Sequence, residues 1–286
     1  MSATLTRVLA LVALVASMSG CATTGETPMA ALHYENTQAQ PADGKKLLIL
    51  LRGAGGGNEV FKNKGLVDQV ISRGLPFDIV APDAHTGYYA SKTLERRLYE
   101  DIILPARRQG YSEIWVAGTS MGGLGALLLQ IEYPDAADGI ILLSPFLGWP
   151  GIVQEIRDAG GLERWQPGEH TIADWQRYLW AWIKQVQQAP ERFPPIYLGY
   201  GTSDLFSNSQ DLLAGVLPEG RTVTTPGGHT YGTMRRLWNE YLEKLEPELR
   251  HRANTRGPGK SVDAPPPLSL MSPCSGQPCD WPPVPD

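Results

Sequence analysis

A serine flanked by glycines is the residue of this chain best suited by its surroundings to act as a nucleophile. Ser120 lies in the run 118–122, Gly-Thr-Ser-Met-Gly, after the apolar run 113–117 and before the helix-forming run 123–130. A strand, a sharp turn and a helix in this order lift a serine hydroxyl out of a sheet, and the glycines allow the close packing that the turn needs. Because the pattern also fits an ordinary Gly-rich connection, the prediction depends on partners elsewhere in the chain.

A base is the first partner required, since a serine hydroxyl is a weak nucleophile until its proton is removed. Histidine titrates near neutrality, and the chain has five histidines. His229 follows a short strand pattern and a Gly-rich loop, and it precedes an amphipathic helix pattern. His170 lies in a tryptophan-rich stretch and His251 lies beyond the last helix pattern, so we predict that His229 is the base.

An acidic residue that orients the histidine is predicted after the strand pattern 195–201. Asp204 follows that strand directly, and its carboxylate would accept the imidazole N–H, select the tautomer and stabilise the protonated ring. The competing interpretation is that Asp204 caps the next helix, although Ser207 or Ser209 would serve as that cap. Asp211 is the alternative acid.

The loop after the first core strand supplies the second group of predicted site residues. The strand pattern 46–51 runs straight into a Gly-rich loop. A tetrahedral intermediate needs two preorganised backbone N–H donors. We assign one donor to Met121, next to the serine, and the other to Ala54, with Gly55 as an alternative. Gly53 and Gly55 let the main chain approach a substrate closely.

Taken together, these motifs resemble those of the α/β-hydrolase fold in its esterase- and lipase-like form. The resemblance covers residues 45–249 and is carried by the segments 50–56, 77–83, 118–123, 201–204 and 228–229. It implies that the acid and the histidine follow the serine along the chain, as Asp204 and His229 do. It also implies an α/β fold with a mostly parallel, doubly wound sheet, a helical cap insert, and chemistry that needs neither cofactor nor metal.

Arg52 departs from the pattern, because many relatives carry histidine at this position. The backbone donor of the loop is unaffected, but a cation is added near the site. Arg52 either binds an anionic group of the substrate or pairs with a carboxylate. The loop also has a nucleotide-binding interpretation, which we disfavour because Asn58 stands where that motif needs its third glycine.

Alternating strand and helix patterns predict a parallel sheet covered on both faces. The predicted strands are 47–51, 77–81, 114–118, 139–144, 196–201 and 221–225, and the predicted helices are 60–73, 93–107, 122–133, 211–216 and 230–245. Residues 145–194 interrupt this alternation and hold five tryptophans. The family resemblance implies a cap in which Phe146 and Trp149 line the substrate pocket. The alternative is that the tryptophans pack the insert onto the body. Asp83 and His85 fit a pocket rim or a loop hydrogen bond better than a metal site.

The N-terminus is interpreted as a targeting segment. Residues 1–20 combine Arg7 with an apolar run of signal-peptide length, and residues 18–21 resemble a bacterial lipoprotein signal. That resemblance implies a lipidated Cys21 that anchors the protein at the cell envelope, on the outer membrane in a host with two membranes. An ordinary secretory signal is the alternative. Residues 21–44 are interpreted as a tether, with a possible strand near residues 31–34 that joins the sheet.

The C-terminus is interpreted as a disordered tail. Residues 251–286 are rich in proline and glycine and would bury too little apolar surface to offset the entropy of ordering. Cys274 and Cys279 lie in this tail, where they either form a small disulfide loop, stay free or attach a partner. The domain itself is therefore predicted to span residues 45–250.

Composition excludes one class of partner, and the motifs favour one class of reaction. The net charge of −5 and the absence of a basic run argue against nucleic-acid binding. The motifs and the resemblance together predict an enzyme that cleaves a small-molecule or lipid carboxylic ester through an acyl-enzyme. The alternatives are an acyltransferase on the same scaffold and a catalytically inactive, lipid-tethered binding protein.

Overall fold

One seven-stranded sheet organises the protein, in a computed structural model that describes residues 25–38 and 45–251. The strands are β1 (Ala31–Tyr34), β2 (Lys46–Leu51), β3 (Phe77–Pro82), β4 (Glu113–Thr119), β5 (Gly139–Leu143), β6 (Ile196–Gly201) and β7 (Thr222–Thr225). Their order in the sheet is β1-β3-β2-β4-β5-β6-β7. β1 pairs antiparallel with β3, and the remaining neighbours pair parallel. The predicted mostly parallel α/β-hydrolase sheet is confirmed.

The central strands are buried on both faces, which explains their nearly continuous apolar sequence. Every residue of β2, β4, β5 and β6 is buried. Parallel strands need this composition because helices cover both sides of the sheet. Leu47 and Ile49 face one core layer, and Leu48 and Leu50 face the other.

Ten α-helices flank the sheet within the part of the chain that the structure describes. They are α1 (Val60–Asn63), α2 (Leu66–Ser72), α3 (Thr86–Ala90), α4 (Leu94–Leu98), α5 (Leu104–Arg108), α6 (Met121–Glu132), α7 (Pro150–Asp158), α8 (Trp175–Gln188), α9 (Ser207–Ala214) and α10 (Tyr231–His251). Among these helices, none is both long and apolar enough to cross a bilayer.

Four helix predictions need correction, the last of them 230–245, because α10 runs six residues further, to His251. The helix predicted over 60–73 is two helices, because Gly65 adopts a φ of 79° between them. The helix predicted over 93–107 contains a π-helical turn at Tyr99–Ile103, between α4 and α5. The helix predicted over 211–216 is α9, which begins four residues earlier than expected. The short helices α3 and α7 were not predicted.

The insert at 145–194 is packed firmly onto the body. Trp165, Trp175, Trp180 and Trp182 are all buried in the same core layer as α6. Within the insert, the indole N–H of Trp180 donates to the carbonyl of Leu147 at 2.9 Å. Packing of the insert onto the body therefore accounts for these four tryptophans, whereas Trp149 is only partly buried.

The start of α6 lies against the sheet more closely than any side chain would allow. A Cβ atom built on Gly122 would lie 2.0 Å from the carbonyl oxygen of Leu51 and 2.7 Å from that of Arg52. A Cβ atom on Gly118 would lie 2.2 Å from the carbonyl oxygen of Gly122. The two glycines that flank Ser120 are therefore required by contact between backbones.

We expect Gly122→Ala to destabilise the fold strongly, since the new methyl group meets backbone that cannot move aside. Overpacking costs about 1–3 kcal/mol or more, and each kcal/mol lowers Tm by roughly 2–4 °C in a domain of this size. Thermal unfolding measures the effect. Gly151→Ala in α7 is the matched control, because its Cβ meets nothing within 4 Å and it should leave Tm unchanged or slightly raised. Equal Tm values for the two variants would contradict the close-packing account.

Candidate active site

Ser120 sits in a strained turn between β4 and α6. Its φ of 52° and ψ of −118° lie outside the regions that non-glycine residues normally occupy. Three backbone hydrogen bonds hold this conformation: Ser120 N–H donates to Leu143 at 3.1 Å, and Gly123 and Phe146 donate to the Ser120 carbonyl at 3.0 and 2.9 Å. Strain of this kind persists only where the surroundings over-determine it, and it is concentrated at functional sites.

The three residues predicted as nucleophile, base and acid meet in one hydrogen-bonded chain. His229 Nε2 lies 2.9 Å from Ser120 Oγ, and His229 Nδ1 lies 3.0 Å from Asp204 Oδ2 and 3.1 Å from Oδ1. The carboxylate accepts a proton donor, so Nδ1 carries the hydrogen and Nε2 is free to accept from the serine hydroxyl. The Asp204 side chain is completely buried and that of His229 is 12% exposed.

Asp204 is held for this role by its own loop. Its Oδ1 also accepts the N–H of Phe206 at 2.9 Å, and its backbone N–H donates to the Gly201 carbonyl at 2.9 Å. Neither Ser207 nor Ser209, offered above as alternative caps, caps α9, which has no side-chain cap, and Ser209 Oγ donates to the Phe206 carbonyl. The carboxylate of Asp204 therefore serves both the loop and the histidine.

Asp211, the alternative acid, has a different partner. It lies on α9 and accepts the hydroxyl of Tyr200 at 2.7 Å. Burial, together with this hydrogen bond and the charge of Asp211, raises the pKa of Tyr200 above its ordinary value. The structure thus assigns Asp204, and not Asp211, to the imidazole of His229.

An aromatic cluster joins the insert to the histidine. The ring of Phe206 packs edge-on against His229, with centroids 5.1 Å apart. Phe206 also contacts Phe146 at 5.1 Å, and Phe146 contacts Trp149 at 4.9 Å. Phe146 and Trp149 were predicted near Ser120, whereas Phe206 was missed although it follows Asp204 by two residues. These three rings form an apolar wall beside the imidazole.

The Gly-rich loop runs directly past the serine. A Cβ atom built on Gly53 would lie 3.2 Å from Ser120 Cβ and 3.8 Å from Ser120 Oγ. Ala54 follows Gly53 and is partly buried, while Gly55 is exposed. Met121 is the first residue of α6, where backbone N–H groups have no partner within the helix and the helix dipole is positive. The segments of both predicted backbone donors therefore flank Ser120.

Arg52 is buried and paired, which decides between the two alternatives for this residue. Its Nε donates to Asp83 Oδ1 at 3.1 Å and its Nη1 to the Gly53 carbonyl at 3.3 Å, with 6% of the side chain exposed. The guanidinium thus supports the loop instead of lying open to a substrate. His85 makes the expected loop hydrogen bond, since its Nδ1 accepts the N–H of Gly87 at 3.1 Å.

Tyr231 is a site neighbour that the sequence analysis missed. Its hydroxyl lies 3.5 Å from Thr119 Oγ1, next to the serine turn. Burial raises the pKa of Tyr231, while the Thr119 hydroxyl, the Gly53 backbone and the charge of Arg52 act in the opposite direction. The phenol, which remains neutral, therefore lies between the Gly-rich loop and the turn that carries Ser120.

Comparison with known proteins assigns the chain to a class of enzyme. Residues 87–222 match the model of the Esterase family. Est1E from Butyrivibrio proteoclasticus is similar over 77% of this chain and 93% of its own, with 18% identity and a TM-score of 0.52. The S-formylglutathione hydrolase FrmB from Staphylococcus aureus is similar over 76% of this chain and 95% of its own, with 15% identity and a TM-score of 0.51. No curated protein sequence matches.

The similarity to solved structures and the match to a family model support different conclusions. At these identities the solved structures show a shared fold, an α/β hydrolase. The family match adds the class of reaction, and the protein is an esterase-like hydrolase.

We expect Arg52→Gln to lower kcat/KM by the same factor for a neutral ester and for an anionic ester of equal length. The reason is that Arg52 supports the loop through Asp83 and Gly53 and does not contact the substrate. The paired variant Asp83→Asn weakens the same support from the other side and should behave alike. Steady-state kinetics on the two esters is the measurement, and a selective loss on the anionic ester in Arg52→Gln alone would restore the substrate-binding interpretation.

Proposed function

We propose that this protein is a serine esterase that hydrolyses carboxylic esters through an acyl-enzyme on Ser120. The observation that carries the proposal is the chain of hydrogen bonds from Asp204 through His229 to Ser120, with contacts of 3.0 and 2.9 Å. A base within this distance of a hydroxyl, oriented in turn by a third group, is the arrangement that activates a serine.

In the acylation half-reaction, Ser120 Oγ attacks the ester carbonyl carbon while its proton passes to His229 Nε2. The carbonyl oxygen becomes an oxyanion, which the backbone N–H groups of Met121 and Ala54 stabilise. The tetrahedral intermediate collapses when His229 gives the proton to the oxygen of the departing alcohol. The products are the free alcohol and an ester between the acyl group and Ser120.

In the deacylation half-reaction, water takes the position of the alcohol. His229 accepts a proton from the water, whose oxygen attacks the acyl carbon, and the same two N–H donors stabilise the second oxyanion. Collapse returns the proton to Ser120 Oγ and releases the carboxylic acid. In both halves Asp204 stabilises the imidazolium that forms, and burial of its carboxylate strengthens this effect because water does not screen it.

The surroundings of Ser120 favour a substrate with an apolar part. Phe206, Phe146 and Trp149 provide an aromatic wall on the histidine side. Gly53 and Gly55 lack side chains, so the main chain of their loop is open to the reacting carbonyl, and Gly53 packs against Ser120. We propose that the acyl or alcohol group of the ester packs against the aromatic wall.

We also propose that Cys21 carries lipid and anchors the protein at the cell envelope, on the outer membrane in a host with two membranes. Cys21 and the signal pattern of residues 1–20 lie outside the described residues, as does nearly all of the tail 251–286. The support is the sequence pattern alone: an apolar run followed by small residues and a cysteine. Mass spectrometry of the N-terminal peptide from membranes would detect the acyl chains.

Ser120→Ala and His229→Ala should each abolish turnover of a nitrophenyl ester. Removal of either residue from such a unit costs about 10⁴–10⁶ in kcat, because the nucleophile and its base act together. Initial rates measure the loss, and circular dichroism and Tm confirm that the variants are folded. Retention of a tenth of the wild-type rate by either variant would refute the proposed mechanism.

The acid assignment is tested by a matched pair of isosteric changes. Asp204→Asn should lower kcat by about 10³–10⁴, because an amide can donate to Nδ1 and stabilise the wrong tautomer. Asp211→Asn, on the neighbouring helix, should stay within about threefold of wild type, since its partner is Tyr200 and an exposed change of this kind is mild. If the two variants exchange these results, Asp211 is the acid.

A further inference from the structure

The segment that precedes the core domain is bound to the body instead of forming a loose tether. Met29 is 4% exposed and its N–H donates to Asp101 Oδ2 at 2.8 Å. The hydroxyl of Tyr88 donates to the carbonyl of Glu26 at 2.9 Å. β1 then continues as the edge strand of the sheet. Residues 26–34 are thus attached to the domain, within the region 21–44 that was predicted to be a tether.

The direction of β1 places the start of this segment at the same edge of the sheet as Ser120. β1 is antiparallel to β3, and its first residue, Ala31, pairs with Pro82, the last residue of β3. At the centre of the sheet, Leu51, the last residue of β2, pairs with Gly118, one residue before the carboxyl end of β4. The chain therefore enters β1, at Ala30 and Ala31, at the carboxyl ends of the parallel strands, the edge of the sheet that also carries Ser120.

A continuous line of contacts connects this segment to the serine. The N–H of Asp83 donates to the Ala30 carbonyl at 2.8 Å, and the carboxylate of Asp83 accepts from Arg52. Arg52 in turn donates to Gly53, whose backbone packs against Ser120. Three strand spacings, about 14 Å in total, separate β1 from β4.

We propose that the carboxyl edge of the sheet, with Ser120, faces a lipid bilayer and that the ester substrate is presented from that bilayer. This inference rests on the proposed lipidation of Cys21. Gly25 is four residue positions after Cys21, and a chain of that length reaches at most about 14 Å. A free tether over residues 21–44 would instead reach roughly 80 Å and leave the orientation open.

The substrate class follows from this orientation. An ester with a long apolar chain partitions into a bilayer, and its polar ester group lies at the interface with water. Because Gly25 is held within about 14 Å of that interface, the sheet edge that carries Ser120 stays on the membrane side and meets such a molecule without waiting for it to leave the membrane. The aromatic wall of Phe146, Trp149 and Phe206 then offers an apolar surface for the part of the molecule next to the ester.

Orientation is measured with the full-length lipoprotein, extracted from bacterial membranes and reconstituted into phosphatidylcholine vesicles. Cys274→Ser and Cys279→Ser leave one introduced cysteine for a fluorophore, because Cys21 is blocked by its thioether. Ser203→Cys labels the exposed loop after β6 at the carboxyl edge, and Gln109→Cys labels the exposed turn before β4 at the opposite edge. Lipid headgroups that carry a nitroxide quench fluorophores at short range.

We expect quenching at position 203 to exceed that at position 109 about threefold or more, because the seven residues of β4 separate the two edges by roughly 20 Å. An insertion of about twenty Gly and Ser residues between 24 and 25, with an r.m.s. length of roughly 25 Å, should make both positions equally and weakly quenched. Equal quenching without the insertion, or stronger quenching at position 109, would overturn the orientation.

Rates on a membrane-held ester and on a soluble ester test separately whether the substrate is presented from the bilayer. The same insertion should lower the rate on a long-chain ester held in the vesicles about fivefold or more, since the effective concentration falls as the tether lengthens. It should leave the rate on a water-soluble nitrophenyl ester unchanged. A lipidated protein with no such difference would refute the inference and leave the esterase intact. Absence of acyl chains on Cys21 in the mass spectrum would refute the anchor and this inference together.

Discussion

The contact between the first turn of α6 and the ends of β2 and β4 is the constraint on which the site depends. Gly118 and Gly122 have no side chains, so the helix lies directly on the backbone of Leu51 and Arg52. In the turn between Gly118 and Gly122, Ser120 has a φ of 52°, and its hydroxyl lies 2.9 Å from His229 Nε2. The same contact locates the loop at Gly53, which starts at Arg52. One packing interaction therefore positions both the nucleophile and the main chain beside it.

The other two residues of the site, Asp204 and His229, follow strands whose carboxyl ends lie side by side at the same edge of the sheet as Ser120. Gly118 pairs with Leu142, and Gly201 at the end of β6 pairs with Thr225 at the end of β7. Parallel registers of this kind bring loops distant in sequence to one edge, where ligands bind in open α/β sheets. Asp204 and His229 follow those two strands within a few residues, so short loops are enough to place a buried carboxylate and an imidazole against Ser120.

The sequence alone predicted those strands and site residues that are marked by their immediate neighbours in the chain. It did not predict features that depend on a contact with a residue far away in the sequence. The strand predicted at 196–201 matches β6. Ser120 and Asp204 were found because each closely follows an apolar strand pattern, and His229 because it follows a short strand pattern and a Gly-rich loop. Arg52 pairs with Asp83, thirty-one residues away, so its role could not be decided from its sequence neighbours. The helix predicted over 60–73 ends and restarts at Gly65 because of a left-handed backbone conformation, which helix propensities do not report. Lys46 starts the strand pattern 46–51, and its burial beside Glu113 at 3.4 Å was not predicted because it depends on β2 and β4 being neighbours.

The central claim is that His229 activates the hydroxyl of Ser120, and covalent labelling tests it most directly. A fluorophosphonate reacts with a serine only when a base has raised its nucleophilicity, and peptide mass mapping identifies the modified residue. The account predicts one phosphonyl group per protein, located on Ser120, and none after His229→Ala. An unlabelled wild-type protein, or an adduct on any other residue, would contradict it.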